Sequence, residues 1–262
     1  MAAHLGVDGD FERWWGESSS LAGGGNGCKN RGMAIKVVAF DVYDTLARWP
    51  EGRVEPIEVQ RLLGRFGVEM SYQAYEAARQ GVMFFDGAKR PIEGWIDFLA
   101  LTFAKMGAKV SVDLIASVAA MYESRNRMEV YQDALGAVEA VKGAGLVACA
   151  FTTLPRFMFQ RGGEALLARL DHYFDAATTG YAKGHPQFYA RVTEILGVKP
   201  EEVLCVGDDP ICDVELPQAA RWRAVWLDRK GTESGASTTT FRRITALSEL
   251  LLLITSAEAS AR

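Results

Sequence analysis

Four short apolar runs recur along the chain, each closed by a polar cluster and separated from the next by residues of helical period. Ile35 to Phe40 stops at Asp41-Val42-Tyr43-Asp44-Thr45, and Leu146 to Phe151 stops at Thr152-Thr153. Val203 to Val206 stops at Gly207-Asp208-Asp209, and Ala224 to Leu227 at Asp228. A weaker candidate strand, small and polar, spans Ala176 to Thr179. Helical patterns fall at Ala134 to Lys142, Gln160 to Leu170, Pro186 to Leu196 and about Pro217 to Arg221. Continuous apolar runs suit strands buried on both faces. Their alternation with helices predicts an α/β fold, a doubly wound parallel sheet with helices on either side. Ligands of such sheets bind beyond the carboxyl ends of the strands, where the polar clusters fall.

The gap between the first two runs is too long for one crossover. Ile57, Leu62, Leu63 and Phe66 keep helical spacing, as do Tyr72 to Met83, Ile92 to Met106 and Val112 to Tyr122. Residues 54–131 are therefore expected to form an inserted α-helical cap domain on a core built from 34–53 and 132–262. Inserted lids of this kind exclude water and select substrates. Phe84, Phe85, Lys89, Arg90 and Trp95 are candidates to face the cleft, and fit the interior or surface of the insertion equally well. Residues 1–33, with glycine, serine and asparagine clustered at Ser18 to Gly27, read as a flexible N-terminal extension.

With 49% hydrophobic and 24% charged residues, the 262-residue chain has the apolar material for a sizeable core, which excludes wholesale disorder. A net charge of −4 without a basic block argues against a nucleic-acid partner. Leu250 to Ile254 is too short to span a membrane, and no basic segment followed by an apolar one opens the chain. Cys28, Cys149, Cys205 and Cys212 lack metal-ligand spacing and suggest no disulfide framework, which fits a reducing compartment. The expectation is a cytoplasmic protein, monomer or homodimer, that engages a small molecule and neither nucleic acid nor membrane.

Asp41-Val42-Tyr43-Asp44-Thr45-Leu46 after an apolar strand resembles the first motif of the haloacid dehalogenase (HAD) superfamily. Thr152 after the second strand, Lys183 before Gly184-His185-Pro186, and Gly207-Asp208-Asp209 with Asp213 follow in that family's order. The resemblance spans about Ile35 to Asp228, with the insertion where the family keeps its first-type cap. It implies a Rossmann-like core and a hydrolase whose nucleophile is Asp41. It further implies Mg2+ held by Asp41, the Tyr43 carbonyl and Asp208, with Asp213 around that site. Lys183 would orient Asp41, and Thr152, with backbone amides near Thr153 and Asp44, would bind the transferring group.

The residue types make chemical sense together. A phosphate ester repels a carboxylate nucleophile unless cations neutralise the site. Magnesium takes hard oxygen ligands and needs only one or two carboxylates, and lysine adds a point charge. Singly, each residue has a plainer reading. Asp41 and Asp208-Asp209-Pro210 suit turns, Thr152-Thr153 a helix cap, Asp213 a helix start and Lys183 a solvated loop. Their recurrence at one sheet edge favours a shared site. His185 is read as a loop residue.

The pattern departs from the family's phosphatases at one place. They carry an acid two residues after the nucleophile, where this chain has Tyr43. Asp44 follows, but alternation along an extended segment would aim it elsewhere. The superfamily's 2-haloacid dehalogenases also place tyrosine there, because halide leaves without protonation, and they work without a metal. Asp208, Asp209 and Asp213 would, however, repel a carboxylate substrate if no cation accompanied them. The arginine segment that those dehalogenases use for halide is not found. The favoured expectation is a Mg2+-dependent phosphatase acting on a small phosphorylated metabolite through an aspartyl-phosphate. The alternatives are a 2-haloacid dehalogenase and a weakly active phosphate-binding protein of the same fold.

Overall fold

The structure, a computed structural model, describes residues 34–231, 242–250 and 252–253, so the extension expected at 1–33 and Cys28 lie outside the described residues. In chain order the elements are β1 (Val37–Phe40), β2 (Ala47–Arg48), α1 (Pro56–Gly64), α2 (Tyr72–Gly81), α3 (Trp95–Lys105), α4 (Val112–Arg125) and β3 (Glu129–Val130). Then come α5 (Ala134–Gly143), β4 (Val147–Phe151), α6 (Arg156–Leu167), β5 (His172–Phe174), α7 (Ala176–Thr179) and α8 (Pro186–Leu196). The remainder are β6 (Val203–Gly207), α9 (Leu216–Ala219), β7 (Arg223–Leu227) and β8 (Arg242–Ile244).

Six strands form one parallel sheet in the order β5-β4-β1-β6-β7-β8, the Rossmann-like arrangement expected. All four residues of β1 are fully buried, because its neighbours cover both edges and helices cover both faces. Successive side chains alternate between two cores. Val38 and Phe40 join Leu204, Val206 and the α5 residues Val138 and Val141. Val37 and Ala39 join Phe151, Phe188, Tyr189 and Trp222 on the opposite face.

Three local expectations are corrected. Ala176–Thr179 is a helix, not a strand: the Asp175 carboxylate accepts the Thr178 amide at 2.9 Å, and Gly180 ends the turn with φ +79°. The strand lies just upstream, at His172–Phe174. The helix expected to start at Gln160 begins at Arg156 and breaks at Arg161 and Gly162. The one expected over Pro217 to Arg221 is a single turn, α9, preceded by a π-helical turn at Pro210–Glu215. Strand β8, Arg-Arg-Ile at the sheet edge, is too short and charged to show an apolar run.

Helices α1 to α4 lie between β2 and β3, which pair antiparallel through Ala47–Val130 and Arg48–Glu129. The Val54 amide donates to Asn126 Oδ1 at 2.9 Å, so the outgoing and returning connections are tied together. Of the cleft candidates, Trp95 is buried and stacks on Tyr122 with centroids 4.4 Å apart. Arg90 is exposed and forms a fork with Asp97 at 2.6 and 2.8 Å, while Lys89 pairs with Asp86. Phe84 and Phe85 are half-buried on a π-helical turn at Val82–Asp86. Phe157, in the first turn of α6, meets Trp95 edge-on at 5.3 Å and joins the insertion to the sheet side. Among the described residues no helix is long and apolar enough to cross a membrane.

The break in α6 has a mechanical cause. The Met128 amide donates to the Arg161 carbonyl at 3.0 Å, and a Cβ at Gly162 would sit 1.9 Å from the Met128 oxygen. Gly162 also has φ +98°, which disfavours any side chain. Gly162→Ala should therefore lower unfolding free energy by about 2–4 kcal/mol, combining a left-handed backbone with a backbone clash. Urea denaturation checks this, and a loss below about 0.5 kcal/mol would contradict the contact.

Candidate active site

Three of the functional candidates stand where a parallel strand runs out. Asp41 follows β1 directly, and its amide donates to the Val206 carbonyl at 2.9 Å, holding the residue to the central pair of strands. Thr152 follows β4, and its amide is bound by the Phe174 carbonyl at 2.9 Å. Asp208 follows β6, and the Trp226 indole of β7 donates to its carbonyl at 2.9 Å. Lys183 precedes α8, whose first turn is capped by His185: its Nδ1 accepts the Gln187 amide at 3.1 Å, a structural loop role.

These elements bring one cation among three acids. Lys183 Nζ lies 2.5 Å from Asp41 Oδ1 and 2.6 Å from Asp213 Oδ1, with all three side chains less than a tenth exposed. The ammonium also lies 4.3 Å from the centre of the Phe151 ring. Carboxylate oxygens of Asp41, Asp208 and Asp213 fall within 4.8 Å of one another. Asp213 is wholly buried; its Oδ2 accepts the Asp209 amide at 2.9 Å, so it faces inward beneath the turn. A Cβ at position 207 would lie 2.2 Å from that oxygen, and only glycine leaves room for it.

Electrostatics follow the burial. Desolvation pushes the Asp41 carboxyl up to about 8 against the opposing pull of Lys183, with Asp213 and Asp208 adding to the rise. Burial, and then Asp213, raise Asp208 to about 7. Burial alone would depress the Lys183 ammonium, but Asp213 and Asp41 outweigh it and hold that group well above its usual range. The cluster is short of positive charge: one ammonium faces three carboxyls.

The other candidates are placed as follows. Thr152 is buried, and its Oγ1 accepts the Leu154 amide at 3.2 Å, leaving its proton free to donate. Thr153 is half-buried beside it. Asp44 has φ +57° and turns away from the chain's extended course; Tyr131 OH donates to its Oδ1 at 3.2 Å, and Lys230 lies 3.6 Å from its Oδ2. Tyr43 is half-buried with its hydroxyl beside the Arg53 guanidinium. Asp209 caps the π-helical turn, accepting the Ile211 and Cys212 amides at 2.8 and 2.9 Å. Thr45, absent from the expected site, is buried with its hydroxyl 3.5 Å from Asp208 Oδ1. Its place in the first motif is the signal that could have found it.

Residues 35–221 match the family model of haloacid dehalogenase-like hydrolases. A pyrophosphatase, PpaX, of Bacillus mycoides (strain KBAB4) is 30% identical over 183 residues, covering 68% of this chain and 76% of that protein. A phosphoserine phosphatase of Thermus thermophilus is 30% identical over 115 residues, but the match spans only 45% of its length, and 52% for PpaX of Bacillus cereus (strain AH820). A 2-haloacid dehalogenase from Pseudomonas syringae pv. Tomato superposes with a TM-score of 0.62 at 18% identity, covering 85% of this chain and 99% of that one. A HAD phosphatase from Thermococcus onnurineus gives 0.55 at 20% identity, covering 84% and 98%. The structural likenesses concern the fold alone; the family-model match over residues 35–221 and the Bacillus mycoides relative establish that this chain belongs to the haloacid dehalogenase-like hydrolase family.

Proposed function

We propose that the protein is a Mg2+-dependent phosphatase acting on a small phosphorylated metabolite through an aspartyl-phosphate on Asp41. The observation that carries this reading is the gathering of three carboxyls, oxygens within 4.8 Å, around one buried lysine. The donor set fits magnesium: hard oxygens, and carboxyls that burial has driven toward protonation and that a divalent cation would return to the ionised form. Asp41, Asp208 and the Tyr43 carbonyl would hold the ion, with Asp213 behind them. When bound, magnesium supplies charge neutralisation for the nucleophile and the phosphoryl oxygens.

The chain's own residues do the rest. A carboxylate oxygen of Asp41 forms the bond to phosphorus while the bond to the leaving oxygen breaks, and water later cleaves the acyl phosphate. Lys183 fixes the Asp41 rotamer through its 2.5 Å contact, and Asp213 fixes Lys183. The Thr152 hydroxyl, at the end of β4, is the donor for a phosphoryl oxygen. No acid stands at Tyr43 to protonate the leaving group, which favours substrates whose leaving oxygen is already stable as an anion. Aryl and acyl phosphates are of that kind, and so is the anhydride cleaved by a pyrophosphatase such as the Bacillus relative. The aromatic residue at position 43 is also what favours the second reading, a 2-haloacid dehalogenase, in which no proton donor is needed. A cytoplasmic location and a monomeric or dimeric state are part of the same proposal.

Asp41→Asn keeps the shape and removes the attacking charge, so turnover of p-nitrophenyl phosphate with magnesium should fall to background. Retention of most activity would overturn the covalent mechanism, and metal-free halide release from 2-chloropropionate by the parent protein would install the dehalogenase instead.

Tyr43→Asp should restore a proton donor. Alkyl phosphate turnover should rise by up to ~10²–10⁴, with aryl phosphates gaining far less. Equal changes for both substrates would remove the missing-acid argument.

Asp41 and Asp208 titrate in the folded protein near 8 and 7, above their unfolded values near ~3.9. Between roughly pH 4 and pH 8 the folded state thus holds more protons than the unfolded one, so metal-free protein loses stability as pH rises. In chelator at pH 8, Asp208→Asn should melt above the parent protein, the gap closing as pH falls toward 4. A variant melting lower at pH 8 would contradict the repulsion described.

A further inference from the structure

We infer that Arg229 is a positioning residue, whose guanidinium holds the Asp44–Thr45 turn in place against Asp208. Arg229 lies just past the end of β7, beyond the last strand-end acid that the sequence displays. Its Nη1 and Nη2 form a fork on the two oxygens of Asp133 at 3.1 and 2.9 Å. Nη2 also donates to the Thr45 carbonyl at 2.7 Å, and the guanidinium lies 4.0 Å from the centre of the Tyr131 ring. The pair is only 16% and 22% exposed, so solvent and salt screen it less than a surface ion pair. Asp133 is anchored in turn, since it accepts the Leu247 amide at 2.8 Å.

Three further contacts carry this anchorage to the turn. Tyr131 OH donates to Asp44, the Tyr131 amide donates to the Leu46 carbonyl at 3.0 Å, and Thr45 presents its hydroxyl to Asp208. Asp44 has φ +57°, a conformation that persists only where surroundings impose it. Within the turn the Leu46 and Ala47 amides donate to the Val42 carbonyl at 2.9 Å and the Asp44 amide to the Ala47 carbonyl at 2.8 Å, but these bonds are internal and none reaches the end of β6 or β7. One planar fork therefore ties together the loop after β1, the returning connection of the helical insertion and the end of β7. Lysine has three donors but no fork, and cannot meet both Asp133 oxygens and the Thr45 carbonyl in this geometry.

The consequence for catalysis rests on the phosphatase reading, but the placement of the turn does not, and the test separates them. Arg229→Lys, Arg229→Ala and Asp133→Asn are compared with the parent protein by amide hydrogen exchange and by kcat and KM on p-nitrophenyl phosphate with magnesium. Exchange at Asp44, Leu46 and Ala47 should quicken tenfold or more while β1, β4 and β6 amides keep their rates. kcat should fall about 10–100-fold, the usual loss for a group supporting a site from behind, with KM within about twofold. Low-millimolar guanidinium should restore part of the Arg229→Ala loss and leave Arg229→Lys unchanged. If Arg229→Ala does not fold, the lysine and asparagine variants carry the test. Unchanged exchange across 44–47 in the folded variants overturns the inference, as does a kcat loss that merely tracks thermal midpoint. Quickened exchange in variants of a parent protein that hydrolyses no phosphate ester sustains the positioning role and discards the phosphatase.

Discussion

A buried ammonium between two buried carboxyls is the interaction on which the site depends. Lys183 meets Asp41 and Asp213 at 2.5 and 2.6 Å in surroundings nearly closed to water. Removing either partner from such an arrangement leaves an uncompensated charge, which is far more damaging than the net worth of the pair suggests. Features that look local exist around this triad. Gly207 has no side chain so that Asp213 can fold beneath the turn, and Phe151 offers its ring face to the ammonium. One lysine cannot balance three acids, and burial first, with neighbouring acids adding to it, leaves the carboxyls raised.

The parallel sheet makes the gathering possible without any segment being near another in sequence. β1, β4 and β6 are adjacent and end together, so the residues following them meet at one edge. Backbone bonds across that edge, Asp41 to Val206 and Thr152 to Phe174, extend the strand pairing by one residue into the site itself. The geometry of the site is thus inherited from the sheet.

The legible parts of the sequence were those where a side chain announces its own role. Unbroken apolar runs disclosed β1, β4, β6 and β7, and the acids at their ends, with Lys183 ahead of α8, are the groups that the fold assembles. β5 and β8 escaped because three-residue strands show no period, and α7 looked like a strand until its cap was seen. Arg229 escaped for a different reason. Its contacts run through a carbonyl, a ring face and a carboxylate on a remote connection, and nothing in the spacing of residues encodes those. The same is true of Gly162, whose necessity lies in the Met128 oxygen pressed against it.

The register of β1 also bears on how the chain acquires its structure. Val37 stands opposite Val147 on one side and Val203 on the other, so the strand at the centre is made early in synthesis and completed late. Pairings between such distant segments close large loops before any contact rewards them, which slows folding and prolongs the life of unpaired strand edges. Until β6 docks there is no pocket of acids and no repulsion among them. The electrostatic burden of the site therefore arrives with the β1–β6 pairing, which brings Asp41 and Asp208 to one edge.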